Sequence, residues 1–286
     1  MANLKEIRNR ITSIGSTMQI TSAMKMVSAA KLKKAQDAIT AMRPYSSKLT
    51  ELLQSLSATL DADAGGDFSK QREVSKVLLV VVTSNRGLCG GFNSSVIKET
   101  IKNIEDNYQG VGVDLLTIGK KGNDILSKTY PVIEAKNDVY DDLTFDNVAE
   151  IAENLMSMYV DGTYDKIEII YNRFKNAATQ IPQIEQFLPI KPVEGDVSTN
   201  SDYIFEPGKE EIVLELIPKS LKTQLYKSIR DSFAAEHGAR MTAMHKATDN
   251  ATELRDELLL TYNKARQAAI TNEILEIVGG AEALNN

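Results

Sequence analysis

The chain has 286 residues and a formal net charge of −6, with 42% hydrophobic and 25% charged residues. This composition is typical of a soluble, folded protein of one or two domains. The longest apolar run, Val77–Val82, is too short to span a bilayer, and the charged N-terminal residues with no apolar core behind them exclude a signal peptide. One cysteine excludes an internal disulfide and favours a reducing compartment, and one cysteine with two histidines argues against a zinc site.

The charge is divided unevenly along the chain. Residues 1–43 hold eight Lys and Arg residues but only two acids, which gives this segment a net charge of +6 and leaves −12 for the rest. Nucleic acid is one conceivable partner for such a segment, but its basic residues have no aromatic residues beside them and form no known binding motif. We therefore expect no nucleic-acid partner. Charge alone leaves an acidic protein surface and a solvated helix face equally open.

The N-terminal segment has the repeat of a long coiled-coil helix. Its apolar residues recur at alternating spacings of three and four, the heptad pattern, at Leu4, Ile7, Ile11, Ile14 and Met18. The pattern breaks near Thr21 and resumes over Leu32–Leu60. Pro44 removes one helical hydrogen bond inside this run, so we predict a kink there and not an end. The sequence thus predicts one helix over Asn3–Leu60, ended by the polar segment 61–67.

The central region alternates between strand and helix patterns. Val77–Val82 is apolar on both faces, as in a parallel strand covered by helices on both sides. Further strands are predicted at 113–118, 132–135, 166–174 and 180–188, the last two as a hairpin, and helices at 93–108, 119–129 and 145–160. Asn93 is the predicted cap of the first of these helices. Such alternation predicts an α/β layered, Rossmann-like fold.

A second long helix closes the chain. After a polar linker at 191–208, it begins near Lys209 or, because of Pro218, near Lys219. Its stripe of larger residues is interrupted by alanines and Gly238, which let another helix approach closely. The stripe consists of Leu221, Leu225, Ile229 and Phe233, and later of Leu254, Leu258, Tyr262, Ala265 and Ala269. A helix of roughly 60 residues is about 90 Å long, so most of it needs a partner outside a small domain.

These patterns together predict the fold class. It is α/β, with a long antiparallel coiled coil of the N- and C-terminal helices and an inserted α/β globular domain. The predicted division is 1–60 for the N-terminal coiled-coil helix, 75–190 for the α/β domain and 209–286 for the C-terminal coiled-coil helix.

The loop after the first strand, Thr83–Asn93, is the best indication of an enzyme in this chain. Glycines between a strand and a helix N-terminus can cradle a phosphate, but the spacing matches neither GxGxxG nor a P-loop. A tight strand-to-helix turn is the more ordinary interpretation, with Arg86 as a contact residue. Cys89 has no histidine in the same domain, because His237 and His245 lie on the final helix. We expect no catalytic residue, no cofactor and no metal.

Two groups of residues on the long helices are candidates for contact with partners. Met24–Val27 is rich in methionine and basic, which suits either an adaptable contact surface or ordinary core packing. Arg266 and Gln267 stand among alanines, where their donors either reach outward to a surrounding collar or remain solvated.

Several blocks make the chain recognisable over its whole length. It resembles the gamma subunit of rotary ATP synthases, of the bacterial type. The blocks are Ile7–Arg8, Ile20–Val27, Arg43–Tyr45, Ser84–Asn93, Glu236–Met241, Ala247–Ala251, Tyr262–Ile274 and Glu276–Gly280.

The resemblance implies a central rotor shaft that performs no bond chemistry itself. It implies that the coiled coil lies inside a hexamer of catalytic and non-catalytic nucleotide-binding subunits, and that the α/β domain contacts the membrane rotor ring and the epsilon subunit. Proton-driven rotation of the ring would then be coupled to conformational change at the nucleotide sites. The expected location is the cytoplasmic face of the inner membrane, as a peripheral part of the complex.

The resemblance also implies roles for individual residues. Met24 and Lys25 are expected to face acidic loops of the catalytic subunits. Arg240 matches a family arginine and is expected to contact a partner. Tyr203 and Glu206 fall in the segment that meets the rotor ring. The polar positions expected to engage the collar are Arg266, Gln267, Thr271 and Glu273.

Two rival classes remain at the level of the sequence. One is an enzyme that uses the Gly87–Gly91 loop, which would bind a nucleotide as an isolated protein. The other is a coiled-coil adaptor, which would self-associate through its heptads.

Overall fold

A computed structural model describes residues 4–57, 66–190 and 209–284. The helices are α1 (Leu4–Ser57), α2 (Phe92–Asn107), α3 (Lys120–Leu126), α4 (Phe145–Val160) and α5 (Lys209–Leu284), with a short 3-10 turn at Gly66–Phe68. The strands are β1 (Lys76–Val82), β2 (Gly112–Ile118), β3 (Val132–Lys136), β4 (Lys166–Phe174) and β5 (Gln180–Leu188). The predicted linker at 191–208 lies outside the described residues.

Most of the predicted elements are confirmed. The bounds of α4, β4 and β5 agree with the prediction, and α5 begins at the earlier of its two predicted starts, Lys209. Both long helices contain a proline, Pro44 in α1 and Pro218 in α5. The kink at Pro44 stays a prediction.

The five strands form one sheet in the order β3-β2-β1-β4-β5. All neighbouring pairs are parallel except β4 and β5, which pair antiparallel as the predicted hairpin. β1 lies in the centre, and every residue of Val77–Val82 is fully buried. This burial explains its unbroken apolar run, since both faces of the strand are covered.

Each face of the sheet carries its own apolar core. On one face, residues of α2 and α3 such as Val96 and Leu126 pack against β1 and β2. On the other face, α4 packs together with four residues of α5, which are Ile217, Leu221, Leu225 and Ile229. The sequence prediction gave this stretch of α5 to the coiled coil, which was wrong. Its spacing of four residues instead forms the face that α5 buries against the α/β domain.

The chain divides into two compact units, Met1–Ser28 with Met241–Asn286, and Ala29–Arg240. In the first unit α1 and α5 run antiparallel. Arg8 Nη2 donates to the Tyr262 hydroxyl at 2.6 Å, and the hydroxyls of Thr21 and Thr248 lie 2.8 Å apart. Residue numbers therefore rise along one helix as they fall along the other, which confirms the predicted antiparallel coiled coil.

The seam between these helices differs from the predicted stripe in two places. The expected break near Thr21 is a change of residue type only, because Thr21 and Ser28 are buried at the same heptad spacing. On α5, Leu254 was expected in the stripe but is exposed. The positions nearer the seam are Ala251, which is buried, and Arg255, whose Nη1 lies 3.8 Å from the sulfur of Met18. Polar side chains fill seam positions here because they find hydrogen-bond partners there.

Candidate partner-contact surfaces

The methionine-rich patch of α1 is only partly at the surface. Met24 and Lys25 are half-buried, since Lys25 lies three residues before the buried Ser28 and in phase with the seam. The exposed apolar residues beside them are Ile20, Met26 and Val27. Sequence reasoning missed Ile20 as a surface residue, although its spacing of seven from Val27 places both on one helix face.

The predicted collar residues all lie at the surface. The side chains of Arg266, Gln267, Thr271 and Glu273 are exposed. Arg266 makes no side-chain hydrogen bond or ion pair with any residue that the structure describes, while the Thr271 hydroxyl donates to the backbone carbonyl of Gln267 at 2.9 Å. Exposed large apolar residues follow at Ile270, Ile274, Leu275, Ile277 and Val278. A group of exposed apolar residues beside polar ones marks an interaction site.

The pairing register explains why this part of α5 is exposed. Arg8 lies opposite Tyr262, and α1 begins only four residues before Arg8. The described part of α1 therefore ends opposite about residue 266, and the following residues of α5 have no described α1 residue across from them. Their apolar side chains are left uncovered within this unit.

The loop between β1 and α2 is held by its own side chains. Ser84 N–H donates to Asn93 Oδ1 at 3.0 Å, and the Ser84 hydroxyl donates to the carbonyl of Arg86 at 2.7 Å. Asn93 was predicted to cap α2, but the helix begins one residue earlier, at Phe92, so Asn93 ties the loop together instead. Cys89 is buried, and burial raises the pKa of its thiol.

Arg240 binds the loop that the enzyme hypothesis assigned to a phosphate. Its Nη2 donates to the carbonyls of Arg86 at 3.0 Å and Gly87 at 3.3 Å. A phosphate cradle presents N–H donors, whereas this loop presents carbonyl acceptors to a guanidinium. The tight-turn interpretation of the loop is therefore the one that fits.

A buried ion pair completes this contact. Arg240 Nη1 donates to Glu236 Oε1 at 2.6 Å, and both side chains are about nine-tenths buried. Burial raises the pKa of Glu236, although Arg240 and Lys31 act to lower it. Burial, with Arg240 and Lys31, lowers the pKa of His237 to about 3, so this imidazole is neutral at pH 7. Arg240 was predicted to contact a partner subunit, whereas the structure buries it between α5 and the loop after β1.

Three small residues of α5 pack against the α/β domain. Ala235 and Ala239 pack with Cys89 and Phe92 of the α/β domain. A side chain added at Gly238 would place its Cβ 3.1 Å from the Cα of Ala177, in the turn between β4 and β5. Ala235, Gly238 and Ala239 therefore let the α/β domain approach α5 closely.

Three predicted contact residues remain, Arg86, Tyr203 and Glu206. Arg86 is exposed, as predicted. Tyr203 and Glu206 lie outside the described residues. Within the described ranges, no three His, Cys, Asp or Glu side chains are grouped to hold a metal ion. None of the helices described combines the length and apolar character that crossing a bilayer requires.

Comparison with known proteins decides the family. A family model described as ATP synthase matches residues 3–284. The chain is 76% identical over 285 residues to the ATP synthase gamma chain of Flavobacterium psychrophilum, covering 99% of both chains. It is 53% identical to that of Cytophaga hutchinsonii, covering all of both. The chain belongs to the ATP synthase gamma chain family. It is accordingly a non-catalytic subunit of the central shaft, as the resemblance implied, and the adaptor alternative receives no support from these matches.

Solved structures agree with this gamma-chain fold. The central stalk and c-ring structure of the Tetrahymena thermophila mitochondrial ATP synthase contains a chain that matches with a TM-score of 0.62 at 26% identity, covering 80% of this chain and 99% of that one. A chain of the Euglena gracilis mitochondrial ATP synthase matches with a TM-score of 0.70 at 22% identity, covering 98% and 94%. At 22% identity, the match to the Euglena chain is evidence for the fold only.

Proposed function

We propose that this gamma chain turns with a membrane rotor ring and presents a different face of its paired helices to each catalytic nucleotide-binding subunit in turn. A shaft that binds one conformation of a catalytic subunit better than the others shifts the populations at that active site. The observation that carries the proposal is the exposed apolar and polar surface of α5 from Arg266 to Val278, which no described residue of α1 covers.

The second proposed contact is the patch on α1. Lys25 is a cation beside the exposed apolar residues Ile20, Met26 and Val27, a combination that suits an acidic protein surface with apolar neighbours. The net charge of +6 on residues 1–43 supports an acidic partner, since opposite charges steer association. We assign this patch and Arg86 to contacts with the catalytic subunits of the hexamer.

The contacts proposed with the other partners are based on the family resemblance. We assign contacts with the rotor ring to the segment around Tyr203 and Glu206, and contacts with the epsilon subunit to the α/β domain, predicted as residues 75–190. The non-catalytic nucleotide-binding subunits complete the collar around the coiled coil. The proposed location is the cytoplasmic face of the inner membrane, held there through the complex.

Replacement of two exposed apolar residues tests the central contact. We would reconstitute the whole ATP synthase in proteoliposomes with the gamma variant I274D/I277D, and measure ATP hydrolysis and ATP-driven proton pumping. We expect pumping to fall at least fivefold while helicity by circular dichroism is unchanged, because both residues are exposed in the free chain.

The control is I125D, which places one such charge at an exposed isoleucine of α3. Its pumping should stay close to that of the wild type. Normal pumping by I274D/I277D would contradict the proposed contact.

A further inference from the structure

One residue of the loop between β1 and α2 has an unusual backbone. Leu88 has a φ of +61°, the only non-glycine residue with positive φ among those that the structure describes. Its side chain is 66% exposed, so packing of that side chain does not hold the backbone in this conformation. A positive φ is costly for leucine and persists only where surrounding contacts impose it.

Contacts from α5 add to the hydrogen bonds that Ser84 and Asn93 make within the loop. Arg240 bonds to the carbonyls of the two residues that precede Leu88, using Nη2 for Arg86 and both Nε and Nη2 for Gly87. On the other side of Leu88, Cys89 is buried against Ala235 and Ala239 of the same helix. The loop is thus fixed to α5 immediately before and immediately after Leu88.

Arg240 is itself fixed in place. Its Nη1 pairs with Glu236, one turn earlier on α5, and lies 3.4 Å from His237 Nδ1. A planar guanidinium can serve the carboxylate and both carbonyls at once, whereas a lysine ammonium has no such fork. Besides Arg240 and Glu236, the charged side chains in this region are Lys31 of α1 and Arg86 of the loop.

We propose that Arg240 is a positioning residue, which holds the Arg86–Cys89 loop in its strained conformation so that Arg86 and Leu88 face outward to a catalytic subunit. The inference rests on the proposed function, and it changes the role expected for Arg240. The arginine does not touch the partner. It binds the carbonyls of Arg86 and Gly87, and it acts through the exposed side chains of Arg86 and Leu88.

The test uses a double variant because removal of Arg240 alone would leave Glu236 buried without a partner. E236Q/R240M removes both charges and the bonds to the loop. The matched control is E215Q/K219M, which removes an exposed ion pair of the same i,i+4 spacing on the same helix. R240K keeps a positive charge to pair with Glu236 but lacks the planar guanidinium that also binds the two loop carbonyls.

Two quantities are measured in the reconstituted complex. Hydrogen exchange of residues 86–90 reports the loop, with 77–82 of β1 as the internal reference. Protons pumped per ATP hydrolysed report the contact with the catalytic subunits. For E236Q/R240M we expect exchange in the loop to rise at least tenfold with β1 unchanged, and pumping per ATP to fall at least threefold. R240K should also loosen the loop, although the ion pair remains, and the control should change neither quantity.

A further pair of substitutions separates positioning from general stability. If Arg240 acts through the loop, adding R86A/L88A to E236Q/R240M lowers pumping no further than R86A/L88A alone. Unchanged loop exchange, unchanged pumping with a loosened loop, or losses that simply add would each overturn the inference. Failure of the proposed function looks different, since the wild-type complex would then hydrolyse ATP without pumping protons.

Discussion

The Arg240 guanidinium and the Glu236 carboxylate form a 2.6 Å ion pair one helical turn apart on α5, with both side chains about nine-tenths buried. The same guanidinium binds the carbonyls of Arg86 and Gly87 in the loop after β1. A charge pair at this depth joins the C-terminal helix to the α/β domain of its own chain. The effect of this pair and its neighbours on the free energy of unfolding, and on its pH dependence, can therefore be predicted.

Removal of one partner should cost far more than removal of both. Arg240→Ala leaves the Glu236 carboxylate buried without a cation, and we expect unfolding free energy to fall by about 3–5 kcal/mol. E236Q/R240M should lie within about 1–2 kcal/mol of the wild type, since neutral groups of similar volume replace the pair. Urea unfolding of the full chain measures both. Equal losses in the two variants would show that the pair is not isolated from water.

His237 should make the second unit sensitive to acid. Its pKa is lowered from 6.5 to about 3, chiefly by burial, so the folded state favours the neutral imidazole. Above pH 6.5 the imidazole is neutral in both the folded and the unfolded state. As the pH falls from 6.5 toward 3, the unfolded state binds a proton that the folded state does not bind, and the free energy of unfolding falls. Between pH 6.5 and 5 the loss is about 2 kcal/mol, taking about 1.4 kcal/mol per pH unit.

Comparison with His237→Gln isolates this effect. Glu236, whose pKa is raised, acts in the opposite direction, since the stability that it contributes is lost as the pH rises above 4.5 toward its folded pKa. Both proteins contain Glu236, so the comparison leaves the effect of His237. The difference in unfolding free energy between wild type and His237→Gln should therefore shrink as the pH falls from 7 to 5. A constant difference would show that the imidazole is solvated.

Gly238 should tolerate a larger side chain poorly. A Cβ there would lie 3.1 Å from Ala177 Cα and 3.3 Å from the Phe174 ring, so Gly238→Val crowds the contact between α5 and the β4–β5 turn. We expect a loss of about 1–3 kcal/mol in urea unfolding. Gly279→Val on the same helix is the control, since nothing lies within 4 Å of that position. Similar values for the two variants would argue against a tight contact at Gly238.

Charge reversal at Lys25 should affect coupling more than folding. Lys25 is half-buried on α1, and its ammonium makes no ion pair with any residue that the structure describes. Lys25→Glu should lower protons pumped per ATP hydrolysed, because an acidic partner surface would meet a like charge. The melting temperature of the complex and the pumping ratio are measured together. Lys33→Glu, at an exposed position of the same helix, should leave the ratio unchanged; an unchanged ratio in Lys25→Glu itself would reject the contact.

Arg266 should matter for turnover and not for helicity. A charge-assisted hydrogen bond to a partner is worth about 1.5–3 kcal/mol, so its loss in one rotary position lowers ATPase turnover by roughly tenfold to a hundredfold. The experiment compares steady-state ATPase of the complex with circular dichroism of Arg266→Ala. Lys264→Ala, at a nearby exposed position, is the control. Normal turnover in Arg266→Ala would make it a solvated residue, and lost helicity would make it a structural one.

The sequence predicted elements well where the signal is local. The β-branched run of β1 and the amphipathic spacing of α4 depend only on neighbouring residues, and both were placed correctly. The antiparallel pairing of α1 and α5 also followed from heptads at both ends of the chain. The seam at Thr21 and Ser28 was missed, because counting apolar residues cannot recognise hydroxyls that satisfy their hydrogen bonds in a helix interface.

The role of Arg240 could not be read from the sequence. Its partners in the loop lie 153 and 154 residues away along the chain. The residues next to Arg240 in the sequence therefore could not show that its guanidinium binds a loop of its own chain. In the same way, Leu221, Leu225 and Ile229 have a spacing that fits a coiled coil and a helix packed on a sheet equally well. Only the tertiary fold decides between these alternatives.

Rotation itself is the most direct test of the central claim. The native Cys89 is buried, so a cysteine introduced at the exposed Lys128 of the α/β domain can be labelled selectively with a bead. With the hexamer of nucleotide-binding subunits fixed to a surface, the bead is followed by light microscopy. We predict that it turns in one direction when ATP is added and stops when ATP is removed. A bead that stays still while the same complexes hydrolyse ATP would contradict the account of this chain as the rotating shaft.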